Sequence, residues 1–262
     1  MNILEEIAAK TRERIAEEKI RMPLAELKEL AENAPVKEKP GFLENLRKPG
    51  MSYICEVKKA SPSKGLIAPD FPYLSIAKEY EQAGASAISC LTEPCWFLGS
   101  DAYLKEIAAN VSIPVLRKDF TVDEYMIYQA KTLGASAILL ICAILDDGQL
   151  RDYRELAASL GLDALVEAHD EKEVERAIRC GAQIIGVNNR DLKTFTVDCH
   201  NSIRLRDLAP AETVFVSESG IKTNKDIRLL YDHHVDAVLI GETLMRSPDK
   251  KAMLEVLNGG PL

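Results

Sequence analysis

No apolar run in these 262 residues reaches the ~18 consecutive positions that a membrane-spanning helix needs. The N-terminus lacks the basic end and apolar centre of a signal peptide and alternates charged residues with aliphatics instead. Basic residues are in the minority, 33 Lys and Arg against 41 Asp and Glu, for a formal net charge of -8. A phosphate backbone recruits an excess of Lys and Arg, so neither nucleic acid nor a membrane is expected as a partner. Cysteines are few and scattered (Cys55, Cys90, Cys95, Cys142, Cys180, Cys199), with no CxxC pair, and are read as reduced, buried thiols of a cytoplasmic protein. Of four histidines, His233 and His234 adjoin but lack a third ligand at metal spacing, while His169 and His200 are isolated. No metal and no cofactor are therefore expected. The single tryptophan, Trp96 beside Phe97, is read as packing.

What is present is a helical start followed by a repeating pattern. From Asn2 to about Lys19, Ile3, Leu4, Ile7 and Ile15 recur at helical spacing. Pro23 suits the first turn of a second helix with Leu24, Leu27 and Leu30 on one side, and a short helical piece runs from Phe42 to Arg47 before Pro49 and Gly50 stop it. Residues 1–50 thus form an extension ahead of the repeats. GASAI occurs at Gly84 to Ile88 and again at Gly134 to Ile138, GAQII at Gly181 to Ile185, and HVDAV at His234 to Val238. Between these echoes lie apolar runs at Tyr53 to Lys58, Val115 to Lys118, Ala164 to Glu167 and Val214 to Glu218.

Four βαβα units give eight strands rich in Ile, Val and Leu on both faces, as parallel strands covered on each side must be. Right-handed crossovers of that number close most simply into a (βα)8 TIM barrel, here α/β with an N-terminal helical extension and one domain over residues 1–262. An open doubly wound sheet is the weaker alternative, because no GxGxxG follows the first strand.

In such a barrel the chemistry gathers at the C-terminal ends of the strands. Five strand ends carry polar groups: Glu56 with Lys58, Lys118, Glu167, Asn188 and Glu218. Glu56 and Lys58, two apart on one strand, point to the same side. An edge salt bridge is the bland reading; ending an otherwise apolar run favours function. The loop Lys59 to Gly65, with Ser61 and Pro62, has the composition of a mobile active-site loop. Ser219 with Gly220 after the seventh strand, and Gly241 with Glu242 after the eighth, stand where barrels commonly hold a phosphate, although both glycines would also suit plain tight turns.

Six segments carry a closer resemblance: CEVKKASPSKGLI from Cys55, FLGS from Phe97, RKDF from Arg117, GVNNRDL from Gly186, SESGI from Ser217 and GETLMR from Gly241. In order and at matching strand ends, these resemble the signatures of the indole-3-glycerol-phosphate synthase family, over nearly the whole chain. The resemblance implies ring closure of 1-(2-carboxyphenylamino)-1-deoxyribulose 5-phosphate with loss of carbon dioxide and water, in tryptophan biosynthesis. Lys118 fits the acid that protonates the ketone oxygen. The resemblance points to Lys58 as a second acid and to Glu167 and Glu56 for base or hydroxyl-orienting roles. Asn188 and Glu218 would orient hydroxyls and lysines, Arg190 would reach the substrate carboxylate, and Pro62, Phe97, Leu139 and Leu192 match the family's apolar slot for the ring.

Two other readings stay open at this point. A strand-end lysine facing a ketone could be the Schiff-base nucleophile of an aldolase-type barrel. A barrel that only binds a phosphorylated ligand is the other, though binding alone would not call for Glu56, Lys58, Lys118 and Glu167 together. The expected partner is a phosphorylated small molecule, and the expected state a monomer or weak homodimer.

Overall fold

The computed structural model describes residues 3–34, 39–191 and 196–259. Eight parallel strands close into the predicted barrel: β1 (Ser52–Val57), β2 (Ala87–Leu91), β3 (Val115–Lys118), β4 (Ala137–Ile141), β5 (Asp163–Ala168), β6 (Ile184–Asn188), β7 (Val214–Glu218) and β8 (Ala237–Ile240), with β8 paired back to β1.

Strand alternation divides the apolar residues into two cores. Ile54, Leu116, Leu139, Leu165, Val216 and Leu239 point inward and pack together. Their neighbours Cys55, Ile88, Leu140, Val166, Phe215 and Ile240 face outward and pack with residues of the surrounding helices. Glu56, Lys118, Glu167, Asn188 and Glu218 share the inward parity, one step beyond the last apolar layer. The same periodicity that builds the core therefore aims the polar set at the barrel mouth.

The echoed glycines do end helices in the left-handed conformation: φ is 91° at Gly84, 81° at Gly134 and 78° at Gly181. His234, in the fourth echo, occupies the equivalent place at φ 60° without being glycine.

Among the described residues three helices precede the barrel: α1 (Ile3–Arg21), α2 (Leu24–Glu32) and α3 (Phe42–Leu46). Leu4, Ile7 and Ile15 of α1 are buried as their spacing predicts. In α2 the expectation fails at Leu30, which is 47% exposed; Leu27 and Ala31, four apart and so on one face, are the buried pair. Phe42 and Leu46 of α3 pack into the interior core, burial worth about 1.5–3 kcal/mol for each side chain. Asp163 accepts from the Leu43 N–H at 2.9 Å and ties α3 to the start of β5. The cysteines need one correction. All six are free, and Cys55, Cys90, Cys142 and Cys180 are buried, but Cys199 is only half-buried and Cys95 is exposed, because it sits in the turn after β2 rather than in a strand. Among the described residues no helix is long and apolar enough to cross a membrane.

Candidate active site

The strand ends converge on a cavity of about 530 Å³ at the barrel mouth. Its wall includes all the sequence-predicted site residues except Leu192, which lies outside the described residues: Glu56, Lys58, Ser61, Pro62, Phe97, Lys118, Leu139, Glu167, Asn188, Arg190, Glu218, Ser219, Gly220, Gly241 and Glu242.

Lys118 stands at the centre. Its Nζ is 3.5 Å from an oxygen of Glu167 and 3.5 Å from one of Glu218. Burial alone would lower the ammonium, but Glu218, Glu167 and Glu56 outweigh it and hold the group above the ordinary lysine range, so Lys118 is charged at neutral pH. Glu218 moves in the acid direction of neutralisation: burial pushes its carboxyl up to about 7, Glu167 and Glu56 add to this, and Lys118 opposes it. The carboxylates thus crowd a single cation, and Glu218 is the one whose charge is least favoured.

Lys58 and Glu56 form a second pair, 2.6 Å apart. Ser89 of β2, directly opposite Glu56 in the sheet register, donates to its other oxygen at 3.3 Å. Burial would raise the Glu56 carboxyl, but Lys58 and Lys118 overcome that and hold it below the usual range. Gly241 makes room for this pair: a Cβ there would lie 2.6 Å from Glu56 Oε1 and 2.8 Å from Lys58 Nζ.

Asn188 donates to Glu167 Oε1 at 3.4 Å and accepts from the Arg190 N–H at 3.1 Å, which places Arg190 at the rim. In the loop after β1, Ala60–Ser61 pairs with Gly65–Leu66 in a small antiparallel hairpin. Lys64 of that hairpin reaches within 3.8 Å of Glu242, which also binds Arg246 at 3.0 Å. Ser219 and Gly220 both take the left-handed backbone, at φ 71° and 89°, and Thr243 donates to the Ile221 carbonyl, joining the two candidate phosphate loops.

Sequence reasoning missed part of this wall. Ile3, Leu4 and Ile7 of α1 line the cavity, as does Phe120, whose ring lies 6.2 Å from that of Phe97. An amphipathic face was legible in α1; what it docks against was not. His169, set aside as isolated, has Nε2 3.4 Å from Glu167 Oε1. The signal for it was present, because His169 follows Glu167 by two, the spacing that already linked Glu56 and Lys58.

A charged lysine among carboxylates, beside an apolar slot and two glycine loops, is the constellation the motifs led one to expect. The sequence profile described as indole-3-glycerol phosphate synthase matches residues 4–257. The chain belongs to that family. Among similar proteins, the indole-3-glycerol phosphate synthase of Ruminiclostridium cellulolyticum is 55% identical over 257 residues, covering 98% of this chain and 99% of its own length. That of Lacticaseibacillus paracasei is 55% identical over 252 residues, covering 96% and 97%. Solved structures at lower identity share the fold alone. A thiamine phosphate pyrophosphorylase from Pyrococcus furiosus superposes with a TM-score of 0.62 at 14% identity, covering 83% of this chain and 96% of its own. The tryptophan synthase A-subunit from the same organism gives 0.59 at 13% identity, covering 80% and 97%. Membership of the indole-3-glycerol phosphate synthase family makes the chain a decarboxylating carbon-carbon lyase of tryptophan biosynthesis with a phosphorylated small-molecule substrate, as the motifs implied.

Proposed function

We propose that the cavity residues divide the ring closure of 1-(2-carboxyphenylamino)-1-deoxyribulose 5-phosphate as follows. Lys118 protonates the ketone oxygen as the carboxylate-bearing ring carbon attacks the ketone carbon. Carbon dioxide then leaves that ring carbon, its bonding pair remaining with the ring. Lys58 gives a proton to the departing hydroxyl, and Glu167 takes the proton whose loss makes the new ring aromatic. Glu56 orients Lys58 and the hydroxyl, while Asn188 and Glu218 orient the chain of the sugar and Lys118. Proton transfer by positioned side chains of this kind contributes about 10²- to 10⁴-fold each.

Around these groups, Ser61, Pro62, Phe97 and Leu139 take the anthranilate ring, joined in our reading by Leu192. Arg190 takes its carboxylate. The backbone of Ser219, Gly220, Gly241 and Glu242 takes the phosphate, close approach being what glycine permits.

The observation that carries this reading is the placement of Lys118 Nζ 3.5 Å from Glu167 and 3.5 Å from Glu218. An imine-forming lysine must shed its proton, whereas neighbouring carboxylates favour the ammonium, which suits an acid and counts against the aldolase-type alternative. Lys118→Ala is expected to lose at least about a hundredfold in turnover, read from indole fluorescence, while a substrate analogue still binds. Near-normal turnover in that variant removes the assignment, and a borohydride-trapped adduct on Lys118 in the wild type would replace it with the imine.

The acidic net charge and the free thiols support a cytoplasmic enzyme with neither nucleic acid nor membrane as partner.

A further inference from the structure

His169 begins the loop between β5 and the helix Glu171–Arg179, and its imidazole lies between two carboxylates. On one side Glu173 grips it twice: one oxygen accepts from the His169 backbone N–H at 2.8 Å and lies 3.0 Å from Nδ1. That helix is itself fixed by its cap, since Asp170 accepts from the Glu173 N–H at 2.9 Å. From behind, Asn201 donates to the His169 carbonyl at 3.1 Å. The ring therefore cannot turn freely, and its far nitrogen, Nε2, is aimed at Glu167, 3.4 Å from Oε1. Nε2 is buried and has no hydrogen-bond partner among the described residues, and it faces Glu167 Oε1 across 3.4 Å. Glu167 is 3% exposed, with Lys118 near Oε2 and with Asn188 and His169 near Oε1.

This geometry raises a question that the proton transfers leave open. When Lys118 turns toward the ketone oxygen, Glu167 gives up the ammonium 3.5 Å from it, and His169 Nε2, 3.4 Å away, stays in place. We propose that His169 is a positioning residue for the reaction: gripped by Glu173, its imidazolium faces Glu167 and keeps that carboxylate ionised and aimed while Lys118 serves the substrate. The idea rests on the reading of Glu167 as the base.

The surrounding charges are consistent with a cationic imidazole. Burial would lower His169, but Glu173, Glu167 and Glu218 outweigh it and raise it above the ordinary value. Lys118 from β3 faces Glu167 from the other side, and Glu218 comes from β7. Behind Glu173 lie Arg176 on the same helix and Cys142 after β4, a thiol that burial keeps neutral. No other histidine can share the role, since His200, His233 and His234 are exposed.

The test is the pH profile of kcat, which reports the groups of the enzyme–substrate complex. In His169→Asn the acid limb is expected to move up by about one pH unit, the effect of removing an opposite charge at this range, with KM at pH 8 near the wild-type value. His169→Lys, which restores a cation, is expected to bring the limb back. A limb that stays in place while kcat falls evenly at all pH values means a structural role and overturns the proposal. A second measurement needs no substitution at His169: its ring protons are followed by NMR in wild type and in Glu167→Gln. Coupling is reciprocal, so the His169 midpoint is expected to fall in that variant, and an unchanged midpoint overturns the proposal even if His169→Asn does not fold. Turnover of Glu167→Gln separates the two ideas. An active Glu167→Gln defeats the base assignment, whereas an inactive one with an unshifted His169 defeats only the inference drawn here.

Discussion

Glu218 lies across Gly186, the neighbouring inward position on the adjacent strand, so closely that a Cβ on Gly186 would overlap its Oε1 and lie 3.1 Å from Leu165 Cδ1. The backbone of Gly186 is not left-handed, so what demands glycine here is the space occupied by the carboxylate. Glu218 cannot swing away cheaply, being 2% exposed and 3.5 Å from Lys118. Gly186→Ala is therefore expected to cost about 1–3 kcal/mol, the range for overpacking, and to displace Glu218 from Lys118. In steady-state kinetics kcat should fall more than KM rises, with Tm lowered by roughly 2–4 °C per kcal/mol. Unchanged kcat and Tm would mean that the contact does not place Glu218.

The raised carboxyl of Glu218 makes a prediction about stability and pH. Its folded value of about 7 lies above the ordinary 4.5, so the associated stability is fully present below about 4.5 and is lost as pH rises through about 7. Lys118 stays charged across that window, because its own carboxylate neighbours hold it above the lysine range. Glu218→Gln removes the titration. Its stability relative to wild type should improve between pH 4 and 8 by on the order of 3 kcal/mol, at about 1.4 kcal/mol per pH unit. Denaturant unfolding at intervals across this range checks the sign, and parallel curves for the two proteins would contradict it.

The legible part of the site and the hidden part differ in the range over which they are encoded. Glu56, Lys58, Lys118, Glu167, Asn188 and Glu218 could be read because each ends an apolar run, and strand parity alone then sends them to one mouth. The barrel was legible for the same reason, from echoes about fifty residues apart. Gly241 was read only as a phosphate turn, whereas the structure also makes it the gap into which Glu56 and Lys58 fit. That demand comes from a strand nearly two hundred residues away, and nothing in GETLMR announces it. Leu30 misled because a leucine in an amphipathic helix looks like core, yet the face is set by what α2 packs against. His169 fell between the two cases: its spacing from Glu167 was visible, but the grip of Glu173 that aims it was not.

Another contact between distant parts of the sequence joins α1 to the residue after Lys118. Arg14 donates to both oxygens of Asp119, at 3.1 and 3.0 Å, across 105 positions of sequence. Asp119 is buried and also accepts from Thr92 at 2.6 Å, with Arg117 3.6 Å away. Burial would raise its carboxyl, but Arg14 and Arg117 hold it below the usual 3.8. Its stability is thus present above about 3.8 and lost as pH falls through the still lower folded value. Arg14→Met leaves Arg117 and Thr92 in place, so the cost should be below the 3–5 kcal/mol of a fully broken buried pair, about 1–3 kcal/mol at pH 7, shrinking below pH 4. The helix stays attached through Lys19 and Asp123, 2.7 Å apart, and through Gln129, which donates to Glu18 at 2.6 Å. Ile3, Leu4 and Ile7 on the same helix form part of the cavity wall, so a loosened α1 should raise KM while kcat changes little. Thermal unfolding at pH 7 and 3.5, with KM from indole fluorescence, measures both effects. A variant that loses stability at pH 7 yet keeps its KM would show α1 to be a brace for the barrel and no part of the substrate's surroundings.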